Sequence, residues 1–150
     1  MLVVSLMIIA CGVLGAASGH TIQVNNNCGE RFIMQVPGRG VVTSGSGGTW
    51  TYDGDTNGVI AAVGNNCDEN GVPCTAAEFS LVSGVTSADI TLIPPHQYNK
   101  SLRITLTNGL SKACNYADCP DAFHTDGNDQ LYQIQESGNP NSGITLDFCY

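Results

Sequence analysis

A chain of 150 residues that is 42% hydrophobic and 12% charged, with 18 Gly and 6 Pro, has room for one compact domain. Its charged share is about half the ~25% usual for soluble proteins, which excludes disorder driven by high charge and leaves uncharged Ser, Thr, Asn and Gly to carry the surface. Thirteen acidic residues against 5 Lys and Arg give a formal net charge of -8 and a pI near 4.4, so nucleic acid and anionic lipid are repelled as partners.

The first segment in chain order, Leu2 to Leu14, is apolar apart from Ser5, Cys11 and glycine. At about 13 residues it falls short of the ~20 that a spanning helix needs, and small residues Ala16, Ala17, Ser18 and Gly19 follow it, as a signal-peptidase site requires. No Lys or Arg stands near Met1, so an uncleaved amino-terminal anchor is the competing reading. Polar, Asn-rich sequence after His20 favours cleavage, which divides the chain into a signal peptide, residues 1–19, and a mature domain, residues 20–150, with no stable membrane insertion afterwards. Cleavage would remove Cys11 and leave Cys28, Cys67, Cys74, Cys114, Cys119 and Cys149. An even set in an exported acidic chain reads as three disulfides; no Cys-x-x-Cys pair suggests zinc, and about 15 connectivities stay open on spacing alone.

Short β-rich runs then recur between turn clusters, and no segment holds a helical period. The predicted strands are Thr21 to Val24, Arg31 to Val36, Gly48 to Tyr52, Val59 to Val63, Phe79 to Val82, Ala88 to Ile93, Leu102 to Thr107, Leu131 to Gln135 and Ile144 to Phe148. Pro37-Gly38, Asp53-Gly54-Asp55, Asn70-Gly71, Pro94-Pro95, Asn108-Gly109 and Asp126-Gly127-Asn128 supply the turns, and Ser44 to Gly48 has the size of a hairpin loop. This pattern predicts an all-β fold, a two-sheet antiparallel β-sandwich. Asn99-Lys100-Ser101 is an N-glycosylation sequon compatible with export.

Five blocks carry a resemblance: the opening Ile22 to Cys28; Gly47-Gly48-Thr49-Trp50-Thr51 with Gly54-Asp55-Thr56-Asn57-Gly58 and Cys67; Ala77-Glu78-Phe79-Ser80-Leu81 with Ala88-Asp89-Ile90; Cys119-Pro120-Asp121-Ala122-Phe123; and the terminal Phe148-Cys149. In this order they resemble thaumatin-like proteins over most of residues 20 to 150, in a form without most of that family's disulfide-rich second domain. The resemblance implies pairing of Cys28 with Cys149, Cys67 with Cys74, and Cys114 with Cys119. It also implies an acidic cleft, onto whose Glu and first Asp Glu78 and Asp89 fall; the cleft's second Asp and its Arg have no counterpart here.

Two carboxyls on adjacent strands of one groove could serve glycoside hydrolysis, one as acid and the other as base or nucleophile, and Glu78 and Asp89 are the catalytic candidates. The alternative for each is a local structural role. Sugar binding asks less, an aromatic platform with hydroxyls and amides, and Tyr52, Tyr98, Tyr116 and Tyr132 are candidates, while Trp50 reads as core. An amino-terminal His20, joined by His96 or His124, could chelate copper; ordinary polar loop positions are the alternative for all three. Asp121, Asp126, Asn128 and Asp129 lack the spacing of an EF-hand loop, and solvated turn residues are the better reading. The function expected from the resemblance is a secreted, monomeric protein, extracellular or in the cell wall, that binds wall β-1,3-glucan in defence. A weak endo-β-1,3-glucanase and a secreted effector with a vestigial cleft are the alternatives.

Overall fold

The computed structural model describes residues 19–127 and 132–150. Residues 1–18, on which most of the expected signal peptide falls, and the candidate residues Asn128, Asp129 and Leu131 therefore lie outside the described residues.

Twelve strands are found among the described residues: β1 (Gly19–Asn26), β2 (Phe32–Val36), β3 (Gly40–Ser44), β4 (Gly47–Asp53), β5 (Thr56–Val63), β6 (Ala76–Leu81), β7 (Val85–Thr91), β8 (Leu102–Leu106), β9 (Ser111–Cys114), β10 (Ala122–Phe123), β11 (Ile134–Ser137) and β12 (Ile144–Phe148). The first sheet has the order β4-β1-β12-β8-β9, and the second the order β10-β7-β6-β5-β2-β3, with β11 also paired to β7. The alternating residues Ile22 and Val24 of β1, Ile104 of β8 and Leu146 of β12 point inward. They meet Phe32, Val59, Phe79 and Ile90 of the second sheet in one shared core. Phe32 anchors it, with Trp50 stacked at 5.6 Å and Phe148 tilted at 6.1 Å.

Two features differ from the sequence expectation. The sheets are mixed rather than wholly antiparallel: β1 runs parallel to β12, from Ile22 opposite Ile144 to Asn26 opposite Phe148, and β10 runs parallel to β7. And Ser44 to Gly48 is no hairpin loop, because β3 pairs with β2 in the second sheet while β4 pairs with β1 in the first. The chain changes sheets there, and Gly47 makes the step possible: its φ is +90°, and a Cβ at this position would stand 2.2 Å from the Val24 carbonyl oxygen.

Disulfides join Cys28 to Cys149, Cys67 to Cys74, and Cys114 to Cys119. On the outer face of the first sheet, Asp147 accepts from Asn25 at 2.7 Å and from Arg103 at 3.1 and 3.0 Å, and the Tyr150 ring lies 4.6 Å from the Arg103 guanidinium.

Candidate functional site

The second sheet turns one face to the core and the other outward. Along β6, Ala77, Phe79 and Leu81 enter the core, so Ala76, Glu78 and Ser80 face out. Glu78 stands directly opposite Asp89 of β7, with Ile60 of β5 on its other side. Side chains so opposed have Cβ atoms about 4.5–5.5 Å apart, near enough for each carboxyl to feel the other's charge.

Asp89 occupies a particular place on β7. Antiparallel pairing with β11 ends at Ala88 opposite Ile134, and parallel pairing with β10 begins at Ile90 opposite Ala122. The outer edge of β7 is thus notched at Asp89. Phe123 follows on the same face opposite Thr91, and its ring tilts against Tyr132 at 5.1 Å. Gln133, the next residue, hydrogen-bonds the Asp89 carboxylate. An aromatic pair therefore flanks the carboxyls on the β10–β11 side.

The Cys67–Cys74 loop flanks them on the other. It packs on the outward face through Ile33, Ala62 and Ala76, and Gly71 comes so close that a Cβ would lie 3.0 Å from that of Ala76 and 3.2 Å from Ile60 Cγ2. His96 joins this wall, with Nδ1 donating to the carbonyls of Cys74 at 3.2 Å and Gly71 at 3.3 Å. Burial and the neighbouring Glu78 charge push the Asp89 carboxyl up to about 7; burial also raises Glu78, against the field of His96. This outward face thus sets a carboxyl that holds its proton up to about 7 beside a second one whose charged form is also disfavoured by burial.

The remaining candidates are scattered. Of the four tyrosines, only Tyr132 comes to the carboxyl pair. Tyr52 lies in β4 of the first sheet with Arg39 5.0 Å from its ring, Tyr98 packs half-buried on the core, and Tyr116 is exposed on the Cys114–Cys119 loop. Nor does the structure bring the histidines together. His20 is buried in β1 with Nδ1 bonded to the Ser142 carbonyl, His96 lies beside the Cys67–Cys74 loop, and His124 Nε2 bonds the Cys119 carbonyl at 2.8 Å. Among the described residues no three metal-ligating side chains converge. Asp121 of the calcium reading is held by Lys112 at 3.1 Å and by the Ala113 N–H at 3.2 Å. Asn99 of the sequon is a clip: its amide nitrogen donates to the Val63 carbonyl at 2.8 Å, and its side-chain oxygen accepts from the Thr75 N–H at 2.9 Å.

Two mixed sheets around one core, stapled by three disulfides, make a thaumatin-like fold. The resemblance read from the sequence holds: the chain is 28% and 27% identical over 96 residues to the thaumatin-like pathogenesis-related proteins 2 and 3 of Avena sativa, covering 64% of this chain and 50% of each of those. It spans about half the length of these curated relatives. No family model matches it. In structure it is similar to the thaumatin-like xylanase inhibitor TLXI (TM-score 0.57, 16% identity, 86% of this chain and 99% of that one). It is similar also to the protein elicitor MoHrip2 from Magnaporthe oryzae (TM-score 0.54, 18% identity, 87% and 99%).

Proposed function

We propose that this chain is a secreted thaumatin-like protein that binds a neutral cell-wall polysaccharide, β-1,3-glucan, in the groove over Glu78 and Asp89, in a defence or wall-associated role. The observation that carries the reading is the opposed carboxyl pair in the β7 notch with Phe123 and Tyr132 beside it. Carboxyls and Gln133 offer hydrogen bonds to sugar hydroxyls, and an aromatic pair offers the apolar contact for a ring face. The choice of glucan follows the resemblance, and export agrees with the three disulfides.

A second reading, weak endo-β-1,3-glucanase activity, is favoured by one observation: Asp89 holds a proton to about 7 beside Glu78, and hydrolysis needs one carboxylic acid and one carboxylate. Pull-down on insoluble β-1,3-glucan, run beside a reducing-sugar assay on wild type and Glu78→Gln, separates the two. Binding retained by the variant with no hydrolysis by either protein supports the lectin-like role. Hydrolysis lost only in Glu78→Gln supports the enzyme. A blank glycan array together with inhibition of a xylanase would replace both with a protein-directed role, which the names of the two structural neighbours suggest.

A further inference from the structure

The short step from Ser44 to Gly47 leaves both sheets ending on one flank in a long edge strand, β3 in the second sheet and β4 in the first. The opposite flank is blunted, as natural sheet edges are. There β9 has four residues, carries Lys112 and ends in the Cys114–Cys119 bridge, while β10 and β11 have two and four residues. β4 has seven, Gly-Gly-Thr-Trp-Thr-Tyr-Asp, with no proline and no lysine, and it pairs with β1 in unbroken register. Antiparallel rungs bond at every second residue pair, and the Asn26 N–H donating to the Ser46 carbonyl shows which pairs those are. Gly48, Trp50 and Tyr52 therefore bond to β1, and Gly47, Thr49, Thr51 and Asp53 turn their backbone groups away from it. The ends of this outer row are closed, the Gly47 carbonyl by the Ser44 hydroxyl at 2.7 Å and the Asp53 carbonyl by the Arg39 guanidinium at 2.6 Å. Between them the N–H and C=O groups of Thr49 and Thr51, both exposed residues, have no hydrogen-bond partner among the described residues.

The open stretch is symmetric about Trp50, with the closed carbonyls of Gly47 and Asp53 equally far on either side. We infer that it pairs with the same stretch of a second copy of this chain, antiparallel about a two-fold axis at Trp50. Thr49 then lies opposite the partner's Thr51, and Thr51 opposite the partner's Thr49, so each open N–H meets an open carbonyl. The half-buried Trp50 ring, stacked on Phe32 at 5.6 Å, meets its own counterpart as a cross-strand aromatic pair. β3, with Val42 at its centre, has no aromatic residue to pair in this way. No charged side chain lies between Gly48 and Tyr52, and the symmetry sets Asp53 opposite a glycine rather than another carboxylate. The net charge of -8 on each copy still opposes association at longer range, so pairing strengthens as salt screens it. One strand edge is smaller than the interface of a permanent dimer, so the pairing is reversible and the monomer expected from the resemblance is the dilute form. The edge belongs to the first sheet, so the pairing does not depend on what the Glu78–Asp89 face of the second sheet binds.

The test is sedimentation of the disulfide-bonded protein from micromolar to millimolar concentration, with amide exchange followed by NMR. A reversible monomer–dimer equilibrium is expected that tightens with added salt, and exchange of the Thr49 and Thr51 amides should slow in step with the dimer fraction. Lysine at both Thr49 and Thr51 sets like charges opposite one another and should weaken the dimer on the order of tenfold, as should glutamate at both. Mixing the lysine and glutamate variants should restore pairing as a heterodimer. Lysine at both Val41 and Thr43, on the β3 edge, should leave the dimer as in the wild type. If net charge alone governed association, the Thr49→Lys/Thr51→Lys protein, being less negative, would pair more tightly than the wild type, and that result would overturn the inference. So would a monomer at every concentration, or loss of the dimer in Val41→Lys/Thr43→Lys, which would give the contact to β3. Protection of Thr49 and Thr51 that is independent of concentration would give the edge to a segment of the same chain and would overturn it as well. These side chains are exposed, and circular dichroism of each variant checks that the fold is kept.

Discussion

Asp89 sits where the outer pairing of β7 passes from β11 to β10, and there its carboxyl is both buried and opposed by Glu78. Both effects penalise the ionised form, so the folded protein binds a proton at Asp89 that the unfolded chain releases near 3.8. Where the folded state holds the extra proton, stability falls as pH rises. The penalty is therefore absent below about 4, grows toward about 7 and stays constant above. Asp89→Asn, which can keep the Gln133 contact, should raise the melting temperature at pH 8 by on the order of 5 °C or more and leave it little changed at pH 4, as thermal unfolding at the two pH values would show. The Glu78–Asp89 meeting was legible only through the family resemblance, which laid both residues on one acidic cleft, because the strand read from the sequence began at Phe79 and left Glu78 outside it. Gln133 and Phe123 were not: they reach the groove through β10 and β11, whose approach to β7 depends on chain far away in sequence. His20 was misread for a related reason, since a polar residue at the head of a strand carries no local sign that Ser142 and Asp55 will enclose it.

At the scale of elements, the strands missing from the sequence reading share one property. β3, β9 and β10 all lie at sheet edges. Gly40–Ser44 is largely exposed, Ser111–Cys114 has four residues and Ala122–Phe123 two, so none shows the alternation that marks a half-buried strand. The central strands, with one face in the core, were all found. The change of sheet between β3 and β4 was missed too, because a glycine-rich run of that length reads equally as a hairpin. Its energetic centre is Gly47, where a side chain meets both a left-handed φ and the Val24 carbonyl. Gly47→Ala should cost about 2–4 kcal/mol in a denaturant titration, whereas Gly45→Ala, with open space around it, should cost well under 1 kcal/mol.

At the scale of the whole molecule, the one long-range covalent link among the described residues is Cys28–Cys149, across a sequence separation of 121 residues. It continues the β1–β12 pairing past Asn26 and Phe148, where the Asn27 N–H still donates to the Phe148 carbonyl at 3.1 Å. Closing so long a loop is worth on the order of 4–5 kcal/mol in chain-entropy terms, more than either short bridge contributes. Replacing both Cys28 and Cys149 by Ala should lower unfolding free energy by about that amount, and replacing Cys67 and Cys74 by less, in parallel denaturant titrations.

The parallel seam between β1 and β12 also dictates an order of events. The second sheet is built largely from strands that meet their neighbours in sequence, β2 with β3, β5 with β6 and β6 with β7. In the first sheet β12 lies between β1 and β8, so β1 and its partner β4 cannot be joined to β8 and β9 until residues 144–148 are present. Local pairings of low sequence separation form fast and distant ones slowly. During synthesis the second sheet can assemble while the chain is still growing, whereas the first must stay divided until its central strand arrives.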